Sequence, residues 1–240
     1  MRRVSPGLAL AAASLSLLLA APAGAVAFGT APVTVELGDG MRARRVPAPC
    51  SGVNGVGFGV CGRWSVEGFN IPAELPVGDV RMFARARGGR VAMATAAGLW
   101  LSDDRGARWS RARMDSPVTP VALAFDADSD FGAAVGPNGT VWTTQDRGDT
   151  WRVRRDRSGP PLVDVVVSGR ALAFSDALGG VWVSFDEGVS VRTLCDVARG
   201  RMPVMAVHRG SIWIHLEGRR WWRVDANGTL EEVARSPWGA

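Results

Sequence analysis

The chain has 240 residues, 47% of them hydrophobic and 21% charged, which excludes wholesale disorder and fits one large domain or two small ones. Its 28 basic residues include no Lys, and Tyr is absent beside ten Trp and eight Phe. Schiff-base chemistry, a phosphate-gripping lysine and a tyrosine nucleophile are therefore excluded, and a net charge of +5 is too modest for a dedicated nucleic-acid binder.

Residues 1–27 read as a secretory signal peptide. Arg2 and Arg3 are followed by an apolar stretch containing Leu17, Leu18 and Leu19, and Ala25-Val26-Ala27 supplies a small-residue exit before Phe28. The apolar run is short for a membrane span, so the expectation is cleavage and a secreted or periplasmic bacterial protein with no span in its mature form. Next, residues 33–37 and 41–46 alternate around Asp39-Gly40 and predict a hairpin. Cys50 and Cys61 bracket a short Gly-rich stretch and are disulfide candidates in an oxidising compartment, with Cys195 left over. Residues 57–62 fit G-x-G-x-x-G, but β-rich residues and Pro72 follow where a dinucleotide site needs a helix, so a Gly-rich hairpin is the better reading.

From residue 79 onward the sequence repeats. Trp100, Trp142, Trp182 and Trp222 recur every 40–42 residues, and Gly106, Gly148, Gly188 and Gly228 each follow six positions later. Asp104, Asp146 and Asp186 hold the fourth position after the Trp, while Asp225 arrives one early. Trp109 and Trp151 close the first two units. Within each unit, short runs of period two separated by Gly, Asp and Asn predict about four strands, with Asn138-Gly139 expected in a primed hairpin turn. No segment from 28 to 240 sustains a helical period. A 40-residue unit of four strands predicts an all-β propeller blade.

The stretches 102–109, 144–151 and 184–191 resemble the Asp-box, or bacterial-neuraminidase repeat, with its S-x-D-x-G-x-T-W pattern. The second matches best, the third lacks the Trp, and the copy at 221–228 is degenerate. The chain looks most like propellers of the photosystem II assembly-factor type and of the sialidase superfamily. The resemblance implies that each box is a turn between the third and fourth strands of a blade. It assigns a structural role to Asp104, Gly106, Trp109, Asp146, Gly148, Trp151, Asp186 and Gly188. Residues 28–240 are then one β-propeller of about five four-stranded blades. Residues 79–235 supply four Asp-box-like blades, and residues 28–78 a diverged blade with a closing strand; four blades plus an N-terminal extension is the alternative.

Candidate chemistry is sparse. Asp126, Asp128 and Asp130 superficially suggest a calcium loop, but Gly132 comes one position late and Pro137 stands where the bidentate Glu belongs, so a polar turn is preferred. His208, His215 and Cys195 are too scattered for a zinc set. One box carboxylate per blade cannot flank a single bond. No catalytic, cofactor or metal site is assigned. The expected function is an exported non-catalytic binding or assembly module in the cell envelope with a protein or glycan partner. Trp64, in the least repetitive segment, is the binding candidate. The alternative, a sialidase-like glycoside hydrolase, is disfavoured by the missing Tyr.

Overall fold

Runs of Val, Ala, Leu and Trp punctuated by Gly and Asp extend into strands, since β-branched and aromatic side chains suit a pleated, buried surface. A computed structural model describes residues 33–47, 62–72, 80–155, 159–195, 203–216, 221–225, 227–234 and 237. Blade I is the meander β1 (Val33–Gly38), β2 (Met41–Pro47) and β3 (Gly62–Glu67). Blade II contains β4 (Val80–Arg85), β5 (Val91–Thr95), β6 (Gly98–Ser102) and β7 (Ser110–Arg111), after which comes the short β8 (Arg113–Met114). Blade III runs β9 (Ala122–Phe125), β10 (Gly132–Val135), β11 (Val141–Thr144) and β12 (Thr150–Arg155). Blade IV runs β13 (Leu162–Ser168), β14 (Ala171–Asp176), β15 (Val181–Ser184) and β16 (Arg192–Cys195). Blade V runs β17 (Val204–His208), β18 (Ser211–His215), β19 (Trp221–Asp225) and β20 (Leu230–Val233).

The fold is an all-β propeller of five sheets in sequence order, and among the described residues there is no α-helix. Two details differ from the expected four strands per blade. Blade I has three described strands, and blade III gains a fifth because β8 pairs parallel to its outermost strand.

Four apolar clusters lie between successive blades, and alternation explains all of them. In β14, Leu172 and Phe174 pack toward blade III, whereas Ala171 and Ala173 pack toward blade V. In β5, Val91 and Met93 face blade I while Ala92 and Ala94 face blade III. In these two strands the bulky set faces the preceding blade and the small set the following one. The repeated tryptophans stand on the third strand, where adjacent blades diverge from the axis and a large ring is needed to fill the gap. Trp100 joins the I–II cluster, Trp142 the II–III cluster that includes Ala92 and Ala94, Trp182 the III–IV cluster, and Trp222 the IV–V cluster that includes Ala171 and Ala173.

The turns follow from local chemistry. Asp39-Gly40, which joins β1 to β2, has φ of 53° and 76°, a primed two-residue connection. The turn at Asn138-Gly139 is different from the expected primed form, because only Gly139 has positive φ (73°). Pro137 locks its own φ negative and opens a three-residue loop that needs one left-handed residue at its end.

Trp142 is completely buried. Trp142→Ala should cost about 3–5 kcal/mol in equilibrium denaturation, from lost transfer energy and the cavity left between blades II and III. Unchanged stability would show that the ring does not hold that interface.

Candidate functional site

Because neighbouring strands in each blade are antiparallel, the first-to-second and third-to-fourth turns lie at one end of every blade, and the remaining connections at the other. The sequence-singled residues cluster at the first end, in three copies of one turn. Ser102 Oγ accepts from Gly106 N–H (2.7 Å) and donates to Asp104 Oδ1 (2.9 Å), which also takes Arg108 N–H (2.8 Å). Thr144, Asp146 and Gly148 repeat this, and Thr150 adds both its N–H (2.9 Å) and its hydroxyl (2.6 Å) to Asp146. Ser184, Asp186, Gly188 and Ser190 do the same. Arg105, Arg147 and Glu187 sit in the left-handed well at φ of 57°, 56° and 62°, whereas the residues after them reach 82°, 94° and 86°, beyond that well, which is why they are Gly. In the degenerate fourth copy, Asp225 still accepts from the N–H groups of Asn227 (3.0 Å) and Thr229 (2.9 Å).

These carboxylates are committed to the turn. The backbone N–H of Arg108 and the Ser102 hydroxyl hold Asp104 below the ordinary carboxylate value. For Asp146 partial burial pulls upward, but hydrogen bonds from Thr150 and Thr144 outweigh it and the net shift is down; Asp186 behaves alike with Ser190 and Ser184. Groups held ionised by the turn's own donors are poorly suited to proton transfer.

Trp109 and Trp151 follow these turns and pack against the preceding blade. Trp151 donates its indole N–H to Gly148 O (2.8 Å), while Trp109 donates to Asn70 O (3.0 Å). An arginine that sequence reasoning did not single out links two of the turns. Arg90, 8% exposed at its side chain, makes two bonds of 2.7 Å to Asp103 and one of 2.8 Å to Asp149, tying blade II to blade III. Hydrogen bonding from Arg90 holds Asp103 below the usual carboxylate range. The only sequence signal is the pair Asp103 and Asp149, acidic residues beside the repeat motif. Asp126, from the supposed calcium loop, instead accepts Gly169 N–H of blade IV (2.7 Å).

The opposite end holds a cleft of about 420 Å³ between blades II and III, lined by Gly98, Arg111, Met114, Asp115, Ser116 and Thr119. There Arg155 lies over the Trp182 ring at 5.5 Å. Asp164 on β13 shares the blade V-facing side of Val166, and burial pushes its carboxyl up to about 7 against one opposing bond from Val165 N–H (2.9 Å). The described residues include no group of three or more His, Cys, Asp or Glu able to hold a metal ion. His215 stacks on Trp221 at 4.6 Å. Trp64 lies in β3 opposite Arg45. Cys50 and Cys61 fall outside the described residues, as do residues 57–61 of the Gly-rich stretch, although Gly62 opens β3 where a nucleotide site would need a helix. Phe69 packs edge-on against Phe83 at 5.4 Å, a core contact.

The sequence matches no protein-family model and no curated protein. Solved structures similar to this chain are propellers. AztD from Citrobacter koseri aligns at 16% identity over 81% of this chain and 58% of its own, with a TM-score of 0.51. An ancestral GH74 enzyme aligns at 12% identity over 70% of this chain and 25% of its own, with a TM-score of 0.51. YCF48 bound to a D1 peptide aligns at 16% identity over 71% of this chain and 56% of its own, with a TM-score of 0.45. The chain thus spans from a quarter to less than three fifths of each of these proteins.

Two opposite pH dependences follow. Asp146 is depressed on folding, so its stabilisation is present above the unfolded value of about 3.9 and lost as pH falls through the lower folded value. Asp146→Ala should therefore lower the melting temperature at pH 7, with the difference from the parent narrowing at strongly acid pH. Asp164 is raised on folding, so stability is full below about pH 4 and declines as pH rises toward 7. Asp164→Asn should remove that decline and melt above the parent at pH 8; a lower melting temperature there would contradict a raised Asp164 carboxyl.

Proposed function

We propose that this chain is an exported, non-catalytic β-propeller of the Asp-box type that serves as a protein- or glycan-binding or assembly module in the cell envelope. The observation that carries the reading is the state of the repeated carboxylates. Asp104, Asp146 and Asp186 accept two to three bonds each from the turn's own N–H and hydroxyl groups. The most regular acidic positions are therefore spent on architecture. The composition adds that a sialidase-like mechanism has no Tyr to use. Residues 1–27 support export through their charged start, apolar centre and small-residue exit. Trp64, on strand β3 in the segment that departs most from the repeat, remains the proposed partner-binding side chain.

A second reading, glycoside hydrolysis, draws on one observation. The surroundings of Asp164 push its carboxyl up to about 7, the range a glycosidase general acid uses. That chemistry also requires a second carboxylate across the scissile bond.

The purified protein should release no product from aryl glycosides or cell-wall polysaccharides, whereas mild crosslinking in the native host should repeatedly recover one stable partner. Trp64→Ala should weaken that recovery while leaving the melting temperature nearly unchanged. Hydrolysis that disappears in Asp164→Asn would overturn the binding reading in favour of the enzyme. For export, the intact mass of protein from the native host should fit a chain beginning at or near Phe28.

A further inference from the structure

The path of the chain between blades II and III builds a cleft at the end opposite the box turns. Its first wall is the rim of blade II, where Ala112 N–H donates to Leu99 O (2.9 Å) and sets Gly98, Leu99, Arg111 and Ala112 side by side. Its second wall is residues 114–119 of the linker to blade III, anchored at both ends. Near the start, Arg113 N–H donates to Asp149 O (2.9 Å) and Asp115 N–H to Trp151 O (3.2 Å), so β8 belongs to the sheet of blade III. Near the end, Arg81 is the extra residue of a β-bulge between Val80 and Met82, and its guanidinium donates to Thr119 Oγ1 (2.9 Å), Thr119 O (3.3 Å) and Pro120 O (3.2 Å). Held to β12 at one end and to β4 at the other, the linker does not collapse onto the rim, and a gap of about 420 Å³ stays open. The lining and both anchors belong to one unbroken described stretch, residues 80–155.

The cleft is apolar at its base and charged at its rim. Leu99 and Ala112 are buried and Met114 and Val118 half-buried, whereas Arg111 and Asp115 are exposed. Arg111 lays its guanidinium across Gly98, where a Cβ would stand 3.1 Å from Nε, and gives one N–H to Ala97 O (2.9 Å). That bond fixes the cation without neutralising it. The ion pairs among the described residues include neither Arg111 nor Asp115, so a cation and an anion flank an apolar base without meeting. The volume falls in the range of small-molecule sites. None of the lining residues is aromatic, so a sugar ring or a nucleobase would find no stacking platform. The matching chemistry is an anionic group and a cationic group on either side of an apolar body.

We propose that this cleft binds a short peptide with both termini free. Its carboxylate meets the Arg111 guanidinium, its ammonium meets Asp115, and its apolar side chain lies on Leu99, Met114 and Val118. Charge-assisted bonds at the two ends fix the orientation, and the flexible thioether of Met114 adapts to the side chain. The site goes beyond the binding role proposed above and is separate from Trp64.

The test titrates the full chain with the dipeptide Ala-Leu, its N-acetylated form, its C-terminal amide and the disaccharide cellobiose, while backbone amide shifts are recorded by NMR. Expected are saturable shifts at residues 98–99 and 111–119 with Ala-Leu, and binding about tenfold weaker once either terminus is blocked. Arg111→Gln should bind Ala-Leu and its amide equally, and Asp115→Asn should bind Ala-Leu and its acetylated form equally, both with an unchanged melting temperature. Each variant thus erases the preference for one terminus only. No saturation at millimolar Ala-Leu, equal binding of the blocked dipeptides by the parent, or tighter binding of cellobiose would each overturn the proposal, as would a folded variant that keeps its preference. The comparison of free with blocked dipeptides needs only the parent, so it decides the matter even where a variant fails to fold. Failure here leaves the binding reading standing, because that depends on the native partner and on hydrolysis assays.

Discussion

Blades arranged around an axis touch closely at their inner strands and diverge outward, so each junction is a wedge that must be filled at close-packed density. At the II–III junction the wedge is filled by asymmetry. There blade III turns Leu123, Phe125, Trp142 and Trp151 toward a face of blade II made mainly of Ala84, Ala92, Ala94 and Ala112, whereas at the other junctions both faces contribute bulky residues. The consequence reaches the whole chain. Strand alternation places the two residue sets on opposite faces, sequence order repeats the junction, and a 40-residue period sets the position of each Trp.

Polar contacts complete the junctions at one end. The box turns orient the chain between third and fourth strands through hydroxyl–carboxylate–amide networks, and Arg90 then joins the turns of blades II and III while Asp126 reaches the Gly169 amide of blade IV. A guanidinium buried between two carboxylates is well paired and costly to leave half-paired, so these residues fix how neighbouring blades meet. The box end is thereby spent largely on architecture. Freedom for recognition lies at the opposite end and along the outer edges, where the linkers vary from blade to blade.

Much of this was legible in the residues. The Trp spacing and the recurring Asp and Gly predicted blades, because period-two runs cannot be helices and the same turn chemistry demands the same residues each time. The hairpin of residues 33–47 was readable for the same reason. Other features were hidden because they depend on contacts remote in sequence. Arg90 finds Asp149 across a blade boundary, and nothing local announces it. The pairing of β8 with β12 rests on two residues in a polar linker, too short to show a period. Asn138-Gly139 misled because Pro137 changed the loop length and hence the turn type. Asp164 is one polar residue in an apolar run, and only its surroundings in the fold push its carboxyl up.

The central claim, that the large face of blade III is seated on the small face of blade II, is tested most directly by a double-mutant cycle across that interface. Ala94→Leu alone should overpack the site and destabilise by about 1–3 kcal/mol, whereas in a Trp142→Leu background the added methylenes should fill vacated space. The account predicts that the double variant is more stable than the sum of the single effects, with coupling of at least about 1 kcal/mol. Strict additivity of the two substitutions would contradict it, because Ala94 and Trp142 would then not share the wedge.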